Sequence, residues 1–502
     1  MASNVTGFRW SAGILAIAVV SGCTGSPTEG SEQGTAPKPS FAITIGTSQV
    51  GDVPEKDNEV VRAIESYTGT KLDIQWIQNA AYDDKVNIMI ASNDMPMLLR
   101  VKYIPTAISA MRSGVFWELG PYLNQYKHLS AQDAPFYDNI KVDGKLYGLP
   151  IFRDIARGAV IYRTDWLQSL GIKPPTTPEE WYQAFKAIAA GDPDHNGKAD
   201  TYGIILSNRY NDGSSALTTR LATSFGAPNK WGVHNGKFMP EFMTEPFMDM
   251  LKLFRRAYSE KLINPDFAIL DESEAEKAYD LGLGGIRIAV AANAKSMQDR
   301  LVKLNPSGQY DVMPLTGPAG IRVAGEIGNN GLYVIPKAAV KTEDQLRKVL
   351  EFADKLMDEP MSTLQLRGIE NKHYVKTQDG KTEMKDFTAF QREVKPYRDS
   401  LFNREGYQVA PLKDTPLGEK ATRITNDSLS AAVPNPALNL DSAVYTEKGK
   451  ELETLIMDAQ TLYIMGKIDD AGWEAEVQKW RKAGGDEMIR QYEQAYALMN
   501  PK

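Results

Sequence analysis

The sequence predicts an α/β protein with more than one lobe. Between residues 41 and 96, β-rich and amphipathic segments alternate in the order strand, helix, strand, helix, which is typical of βαβ units and parallel sheets. At 502 residues the chain is longer than one ordinary domain, so two or three lobes are expected. Hydrophobic residues make up 42% and charged residues 24%, as in soluble globular proteins.

The first 22 residues have the pattern of an export signal. Eight largely apolar residues (13–20) precede Ser21, Gly22 and Cys23, the only cysteine of the chain. A short apolar run that ends in small residues indicates a signal peptide and not a membrane span. The ending resembles the bacterial lipobox, so we expect cleavage before Cys23 and its modification with acyl chains such as palmitate. The alternative is a chance cysteine beside an ordinary secretory signal.

The segment that follows Cys23 has the composition of a tether. Twelve of the seventeen residues 24–40 are Gly, Ser, Pro or Thr, and none could form a core. A flexible coil of this length spans about 20–25 Å. We therefore expect residues 23–40 to hold a folded body near the outer face of the cell membrane.

The folded body is expected to begin with four elements. Residues 41–47 form a β-rich run, and the pattern of residues 58–69 predicts a helix that ends at Gly69. Residues 71–78 alternate apolar and polar side chains, which predicts a strand, and a second helix is expected over 80–96. Ligands of such sheets bind beyond the carboxyl ends of the strands, and we expect the polar loop 92–96 at the end of this helix, with Asp94, to lie there.

A later helix is predicted with well-defined ends. Thr177 is its N-cap, Pro178 is its first residue, and Glu180 completes a capping box. Gly191 is expected to end this helix, which therefore spans 178–190.

Oxygen-bearing side chains alternate in the loop after this helix. Asp192, Asp194, Asn196 and Asp200 surround Gly197 as in the first half of a calcium loop, but Gly203 stands where a closing Glu would be. The loop is therefore either a calcium site or a solvated Asp/Asn turn.

Charge and motifs argue against nucleic acid and for a protein without catalytic chemistry. The net charge is −7, and no Lys/Arg block could follow a phosphate backbone. No HExxH, CxxC or P-loop motif occurs, and the four histidines are scattered. Paired carboxylates for glycoside hydrolysis are not recognisable from sequence alone, so a surface-anchored polysaccharide lyase or hydrolase stays an alternative.

Several motifs resemble the extracellular solute-binding lipoproteins of bacterial ABC sugar importers, and are most similar to the alginate- and aldouronate-oligosaccharide binders. The similar segments run in order from about residue 41 to the C-terminus, and they are "VVRAIESYTGTKLDIQWI", "MIASNDMP", "DGKLYGLP", "IYRTDWLQSLGIKPPTTPEEW", "DPDHNGKADTYG", "EKLINPDF", "RGIENKHY" and "WRKAGGDEMIRQYEQAY".

The resemblance implies a two-lobe fold with a hinge, in which each lobe is a mainly parallel sheet flanked by helices. The N-terminal lobe is expected from residues 41–150 and 318–375, and the C-terminal lobe from 151–317 and 376–502. The chain should cross between the lobes near 148–163 and 311–336. The cleft between such lobes is a favoured ligand site.

The resemblance also implies a complete calcium site within residues 192–201. In the similar proteins a loop of this kind holds a structural calcium ion through five side chains and one backbone carbonyl. The corresponding side chains here are those of Asp192, Asp194, Asn196, Asp200 and Thr201, and the carbonyl is that of Lys198.

Candidate sugar contacts follow from the expected crossings and loops. Sugars need aromatic faces and planar polar groups, and acidic sugars also favour arginine. The candidates are Asp94, Arg153, Asp154, Arg157, Trp231, Asn293, Asn329, Asn330 and Tyr333. For each arginine the alternative is a pair with a neighbouring acid, and for Trp231 it is a place in the lobe core.

The resulting functional hypothesis is a monomeric receptor that captures an oligosaccharide and delivers it to the permease of an ABC importer. Arg153, Arg157 and Arg163 cluster near the first crossing, so an acidic oligosaccharide is expected in preference to a neutral one. A sugar-binding subunit of a sensor is the other alternative.

Overall fold

The computed structural model describes residues 41–49, 53–213 and 215–499. The predicted export signal, Cys23 and the tether over 24–40 lie outside these residues. Among the helices of the described segments, none combines the length and the apolar character that crossing a bilayer requires.

The strands of the described residues are numbered in chain order. They are β1 (Phe41–Gln49), β2 (Thr70–Gln78), β3 (Leu98–Val101), β4 (Gly148–Phe152), β5 (Gly158–Arg163), β6 (Tyr202–Ile204), β7 (Trp231–His234), β8 (Lys237–Pro240), β9 (Gly284–Val290), β10 (Tyr310–Pro314), β11 (Thr316–Gly317), β12 (Gly320–Ile321), β13 (Val323–Ala324), β14 (Asn329–Val334), β15 (Tyr374–Lys376), β16 (Thr382–Met384) and β17 (Ala432–Val433).

The α-helices of the described residues are numbered in the same way. They are α1 (Glu59–Thr68), α2 (Tyr82–Ser92), α3 (Pro105–Arg112), α4 (Lys127–Ser130), α5 (Ala134–Asp138), α6 (Thr164–Ser169), α7 (Pro178–Ala190), α8 (Leu217–Phe225), α9 (Glu245–Ser259), α10 (Glu272–Asp280), α11 (Asn293–Leu304), α12 (Glu343–Lys355), α13 (Glu359–Arg367), α14 (Phe387–Glu393), α15 (Lys395–Arg398), α16 (Pro416–Asp427), α17 (Ala443–Ile464), α18 (Asp470–Trp480) and α19 (Asp486–Met499).

Two sheets dominate the fold. The first has the order β2-β1-β3-β14-β4, and the second has the order β10-β5-β9-β6. Strand β1 runs parallel to β2 and β3, whereas β14 is antiparallel to β3 and β4. In the second sheet β6 and β9 are parallel neighbours, whereas β5 is antiparallel to β9 and β10. The α/β class with mainly parallel strands is confirmed, and one strand of each sheet runs against the others, β14 in the first sheet and β5 in the second, because these two strands begin at the crossings.

Each sheet has its own hydrophobic core. Side chains from 43–151 and 332–402 form the first core, and two further clusters cover the second sheet. Phe390, Tyr397 and Phe402 are buried in the first core. Assigning all of 376–502 to the second lobe was therefore wrong for 387–402, since these apolar side chains bury against the first sheet.

We name the two lobes by these cores. Of the described residues, the first lobe comprises 41–49, 53–152 and 329–407, and the second comprises 158–213, 215–324 and 416–499. Two connecting segments lie side by side, since Arg153 N donates to Gly328 O (3.0 Å) and Glu326 N donates to Ile155 O (3.0 Å). We call 153–157 and 325–328 the hinge, and residues 408–415 make a third connection.

Helix α7 forms as its sequence predicts. Thr177 and Glu180 make the reciprocal capping box, Pro178 is the first helical residue, and the helix ends at Gly191. Trp181, Phe185 and Ile188 bury one face of α7 in the second lobe. The calcium-type loop therefore starts from a fixed helix end.

Candidate functional site

One edge of each sheet lies at the hinge. Strands β1, β3 and β4 end at this edge of the first sheet, and the antiparallel β14 begins there. In the second sheet β5 begins at the hinge, while β6 and β9 end at the same edge. We call this the hinge edge of each sheet. It contains the carboxyl ends of the parallel strands, where ligands of α/β proteins bind.

A cavity of about 820 Å³ lies at the hinge edge of the first sheet. Two predicted residues, Asn329 and Asn330, line it together with the end of β3 and residues 388–400. Its volume is within the range of small-molecule sites.

Asn329 presents an unsatisfied amide to this region. Its Oδ1 accepts a hydrogen bond from Gly331 N (3.0 Å), which turns the start of β14, but its buried Nδ2 has no partner among the described residues. Gly331 has a φ of +98°, and a side chain there would contact Arg100. A buried N–H without a partner costs about 1–3 kcal/mol, so a ligand acceptor at Asn329 would recover that free energy.

Four cationic side chains line the cavity, and they differ in their partners. Lys102 pairs with Asp83 (2.6 Å), Arg392 with Glu393 (2.8 Å), and Lys395 with Asp399. Arg100 instead donates to the carbonyl of Asn330 and has no described carboxylate partner. Its charge is therefore available to an anion in the cavity.

The hinge contains a buried charge cluster. Glu326 accepts from Arg157 (2.6 Å) and from Arg220 (2.8 Å). Burial alone would raise the pKa of Glu326, but the hydrogen bond and charge of Arg157, with those of Arg220, hold that pKa below its usual value. The alternative interpretation of Arg157, a structural ion pair, is thus the one that the hinge adopts.

Arg153 and Asp154 lie beside this cluster, where both are accessible to solvent but partly desolvated by the surrounding protein. Arg153 makes no ion pair with a described residue, and burial followed by the charge of Arg157 lowers its pKa. Asp154 lines a hinge cavity of about 190 Å³ with Arg404 and Tyr407 of the first lobe. Burial raises the pKa of Asp154 against the opposing charge of Arg404. Arg153 is therefore a second arginine without a carboxylate partner.

A third cavity, of about 340 Å³, lies at the hinge edge of the second sheet. Asn293, the first residue of α11, lines it together with Arg220 and Arg287. Arg220 also reaches Glu326, so this cavity adjoins the hinge cluster. Six of the nine predicted sugar contacts, namely Arg153, Asp154, Arg157, Asn293, Asn329 and Asn330, thus lie at the hinge or its two edges.

Three predicted contacts lie elsewhere. Asp94 precedes β3, so it is at the opposite edge of the first sheet, because a helix-to-strand loop reaches the amino end of a strand. Tyr333 is fully buried, and its hydroxyl donates to Ser400 O (2.7 Å). Trp231 packs against Tyr492 and Trp480 in the second lobe.

Arg163 is also remote from the hinge edge. It ends β5 at the far side of the second sheet, is 1% exposed, and pairs with Asp165 (2.6 Å). Arg163 therefore does not belong to an arginine cluster at the hinge, because β5 carries it away over its whole length.

The calcium-type loop brings its acidic side chains together. Asn196 Nδ2 donates to Asp194 (2.7 Å) and to Asp200 (3.2 Å), and Asp192 accepts from the backbone N–H groups of Asn196 and Gly197. Burial and the hydrogen bond with Asp192, with the nearby charge of Asp200, raise the pKa of Asp194.

The loop gives a partial fit to a metal ion. No group of three or more His, Cys, Asp or Glu side chains in the described residues is arranged to hold one. The carboxylates of Asp192, Asp194 and Asp200 nevertheless have no cationic side-chain partner among the described residues. All three supply the hard oxygen ligands that calcium prefers. Thr201 differs from the expectation, since its buried hydroxyl donates to Ile188 O (3.0 Å). Lys198 donates its N–H to Asn196 Oδ1 (2.8 Å).

Several residues of the site were missed by sequence reasoning. Arg100 lies near the carboxyl end of β3, where the rule for α/β sheets could have found it. Arg220, Arg404 and Lys395 come from helices and a loop far away in sequence, and no local pattern marks them.

Residues 50–359 match the family model "bacterial extracellular solute-binding protein". The chain is 34% identical to lipoprotein LipO of Bacillus subtilis, over 97% of this chain and 98% of the relative. It is 32% identical to the polygalacturonan/rhamnogalacturonan-binding protein YtcQ of Bacillus subtilis, over 95% and 96% of the two chains.

A solved structure supports the same fold. The alginate-binding protein AlgQ2, in a form without calcium ion, superposes with a TM-score of 0.61 at 18% identity, and the match covers 91% of this chain and 98% of that one. With a family model over more than half of its length and two relatives above 30% identity, the chain belongs to the bacterial extracellular solute-binding protein family.

Proposed function

We propose that this protein captures an acidic oligosaccharide at the hinge edge and delivers it to an ABC importer. The observation that carries the proposal is a set of groups at the hinge edge: Asn329 Nδ2, which has no hydrogen-bond partner among the described residues, and the guanidinium groups of Arg100 and Arg153, which have no carboxylate partner among them. An amide N–H suits a sugar oxygen, and a guanidinium suits a carboxylate.

The acidic ligand class is supported by charge. The whole chain carries −7, so an anion needs a local positive region to bind. Arg100 supplies one in the first-lobe cavity, and Arg153 supplies one at the hinge. The relative YtcQ is named for polygalacturonan, whose repeating unit carries a carboxylate. The competing hypothesis is a neutral ligand held by amides and aromatic rings.

A thermal-shift screen over uronic-acid and neutral oligosaccharides tests the binding function. A ligand at 100 times its Kd adds about 2.7 kcal/mol to the free energy of unfolding, which raises the melting temperature. Asn329→Ala should reduce this shift, whereas Asn87→Ala, on the exposed face of α2, should not. No shift with any oligosaccharide would contradict the proposal, and new products in the same mixtures would favour a lyase or hydrolase.

We further propose that the protein is held by a lipid at the outer face of the membrane as a monomer. The lipobox-like segment that ends in Cys23 supports the lipid anchor, and so does the relative LipO, which is named a lipoprotein. Cys23→Ser should remove the lipid mass and release the protein from the membrane fraction. A mutant with unchanged lipid mass and unchanged fractionation would refute the anchor.

The last part of the proposal is a structural calcium ion in the 192–201 loop. Asp192, Asp194, Asn196 and Asp200 would hold it, supplying charge neutralisation at the end of α7. The loop does not line the cavities at the hinge edge, so the ion would affect stability and not sugar choice. The structural neighbour AlgQ2 is described as solved without calcium ion, which supports the proposal that a protein of this fold can bind calcium and can also fold without it.

A further inference from the structure

A cavity of about 340 Å³ in the second lobe shares no lining residue with the three cavities at the hinge edge. We call it the aromatic cavity. It lies between the β7–β8 hairpin and helix α17, with α18 and α19 behind it. Trp231, which sequence analysis assigned to the sugar cleft, lines this cavity instead.

Aromatic rings make up much of its wall. Trp231 meets Tyr492 edge to face with 5.0 Å between ring centroids, and Phe242 meets Trp480 in the same way at 5.0 Å. Trp480 and Tyr492 are buried, so the accessible aromatic surface of the wall comes from Trp231, Phe242 and Tyr445. Tyr445 is 43% exposed, so the cavity reaches the solvent beside this ring.

The floor of the cavity contains a buried amide oxygen that has no hydrogen-bond partner among the described residues. Gln460 is 5% exposed, and its buried Oε1 accepts no hydrogen bond from a described residue. Gln132, a buried glutamine of comparable exposure (6%), donates to the carbonyl of His128 and accepts from Arg404. Buried amides are normally satisfied in this way, so the oxygen of Gln460, like Asn329 Nδ2 in the first lobe, is an exception that needs an explanation.

Helix α17 builds the wall that carries this amide. Tyr445, Gly449, Ile456 and Gln460 line the cavity from one stripe of the helix. A side chain at Gly449 would contact the Tyr445 ring within 2.7 Å, so glycine lets that ring lie against the helix. The stripe therefore presents an aromatic face at the mouth and a hydrogen-bond acceptor at the floor.

We infer that the aromatic cavity binds a single uncharged sugar ring. The C–H faces of a pyranose pack on aromatic rings, and its hydroxyl groups donate to amide oxygens such as that of Gln460. Asn435 and Glu453 line the cavity as further polar groups, which suit a polyhydroxy ligand better than a wholly apolar one. The inference does not depend on the proposed hinge-edge site, because no residue is shared.

Saturation-transfer NMR on the full chain tests the inference with three probes, the methyl α-pyranosides of glucose, galactose and mannose. Cyclohexanol serves as an apolar ring without the hydroxyl pattern. At least one pyranoside should bind, and Gln460→Leu should weaken it about tenfold through the lost hydrogen bond. Gln478→Leu, at an exposed site on α18, and Asn329→Ala, at the hinge edge, should leave that binding unchanged.

The outcomes separate this inference from the proposed function. Replacing a buried unsatisfied amide by an apolar group of similar shape leaves stability unchanged or higher, so a melting curve verifies that Gln460→Leu is folded. Binding of none of the three pyranosides, equal binding by Gln460→Leu, or binding of cyclohexanol as strong as that of the sugars would overturn the inference. Loss of pyranoside binding in Asn329→Ala would also overturn it, because the probe would then occupy the hinge edge.

Discussion

Single side chains at the hinge divide into those that hold the hinge and those that are free for a ligand. Arg157 and Arg220 share Glu326, whereas Arg153 has no described carboxylate partner. The sequence placed Arg153 and Arg157 correctly at the hinge, because both follow a Gly/Pro-containing strand. It could not distinguish their roles, since Glu326 is far away in sequence and contacts them only in the fold.

This difference predicts that one arginine substitution lowers stability and the other lowers ligand affinity. Arg157→Ala should lower the free energy of unfolding by about 1.5–3 kcal/mol, because Glu326 loses a charged hydrogen bond and keeps only Arg220. Arg153→Ala should leave the free energy of unfolding nearly unchanged and weaken an acidic oligosaccharide. Urea titration and calorimetry on the same two variants measure both quantities. Equal losses of stability would show that Arg153 is also structural.

The pKa of Glu326 predicts how acid affects the protein. Because its pKa is lower in the folded than in the unfolded chain, its contribution is complete above the ordinary glutamate pKa and is lost as pH falls below it. Glu326→Gln should therefore flatten the fall in melting temperature between about pH 5 and pH 3. Glu447→Gln, at an exposed site on α17, is the matched control and should keep the wild-type slope. A slope in Glu326→Gln equal to that of the wild type would contradict this assignment.

At the scale of elements, local sequence signals were most reliable at helix ends. The capping box of Thr177 and Glu180, the first-turn Pro178 and the end at Gly191 all occur as predicted, because they depend only on neighbouring residues. Strand direction was less predictable. The sequence pattern predicts βαβ units only over residues 41–96, and the antiparallel strands β5 and β14 take their direction from the hinge.

The loop after α7 gives a prediction about calcium. Chelation should lower the melting temperature of the wild type, because Asp192, Asp194 and Asp200 then repel one another at the helix end. Asp194→Asn should lose the response to calcium and, without calcium, should be no less stable than the chelated wild type, since one repelling charge is gone. Asp458→Asn, at an exposed position of α17, should respond to calcium as the wild type does. An unchanged melting temperature on chelation would make the loop an ordinary turn.

At the scale of the whole molecule, the two lobes have separate cores and meet at a hinge lined by charged and amide groups. Most of the predicted sugar contacts gather there because the crossings could be located from Gly/Pro breaks beside β-branched runs. Three predicted contacts lie elsewhere, namely Asp94, Tyr333 and Trp231. Residue type alone does not indicate at which edge of a sheet a side chain lies or how deeply it is buried. The two-lobe fold was predicted from the resemblance of several segments in order, from about residue 41 to the C-terminus, and no single motif would have predicted it.

The central claim is that the hinge edge binds an acidic oligosaccharide, and one calorimetric comparison tests it most directly. The full-length protein is titrated at 0.15 M salt with trigalacturonate and with its carboxyl-reduced, uncharged trimer, a salt level that screens distant charges but not close pairs. We predict one trigalacturonate site per chain and an affinity for trigalacturonate about tenfold or more above that for the reduced trimer, because only the charged ligand offers carboxylate partners to Arg100 and Arg153. Equal affinity for the two trimers, or heat from neither, would contradict the claim.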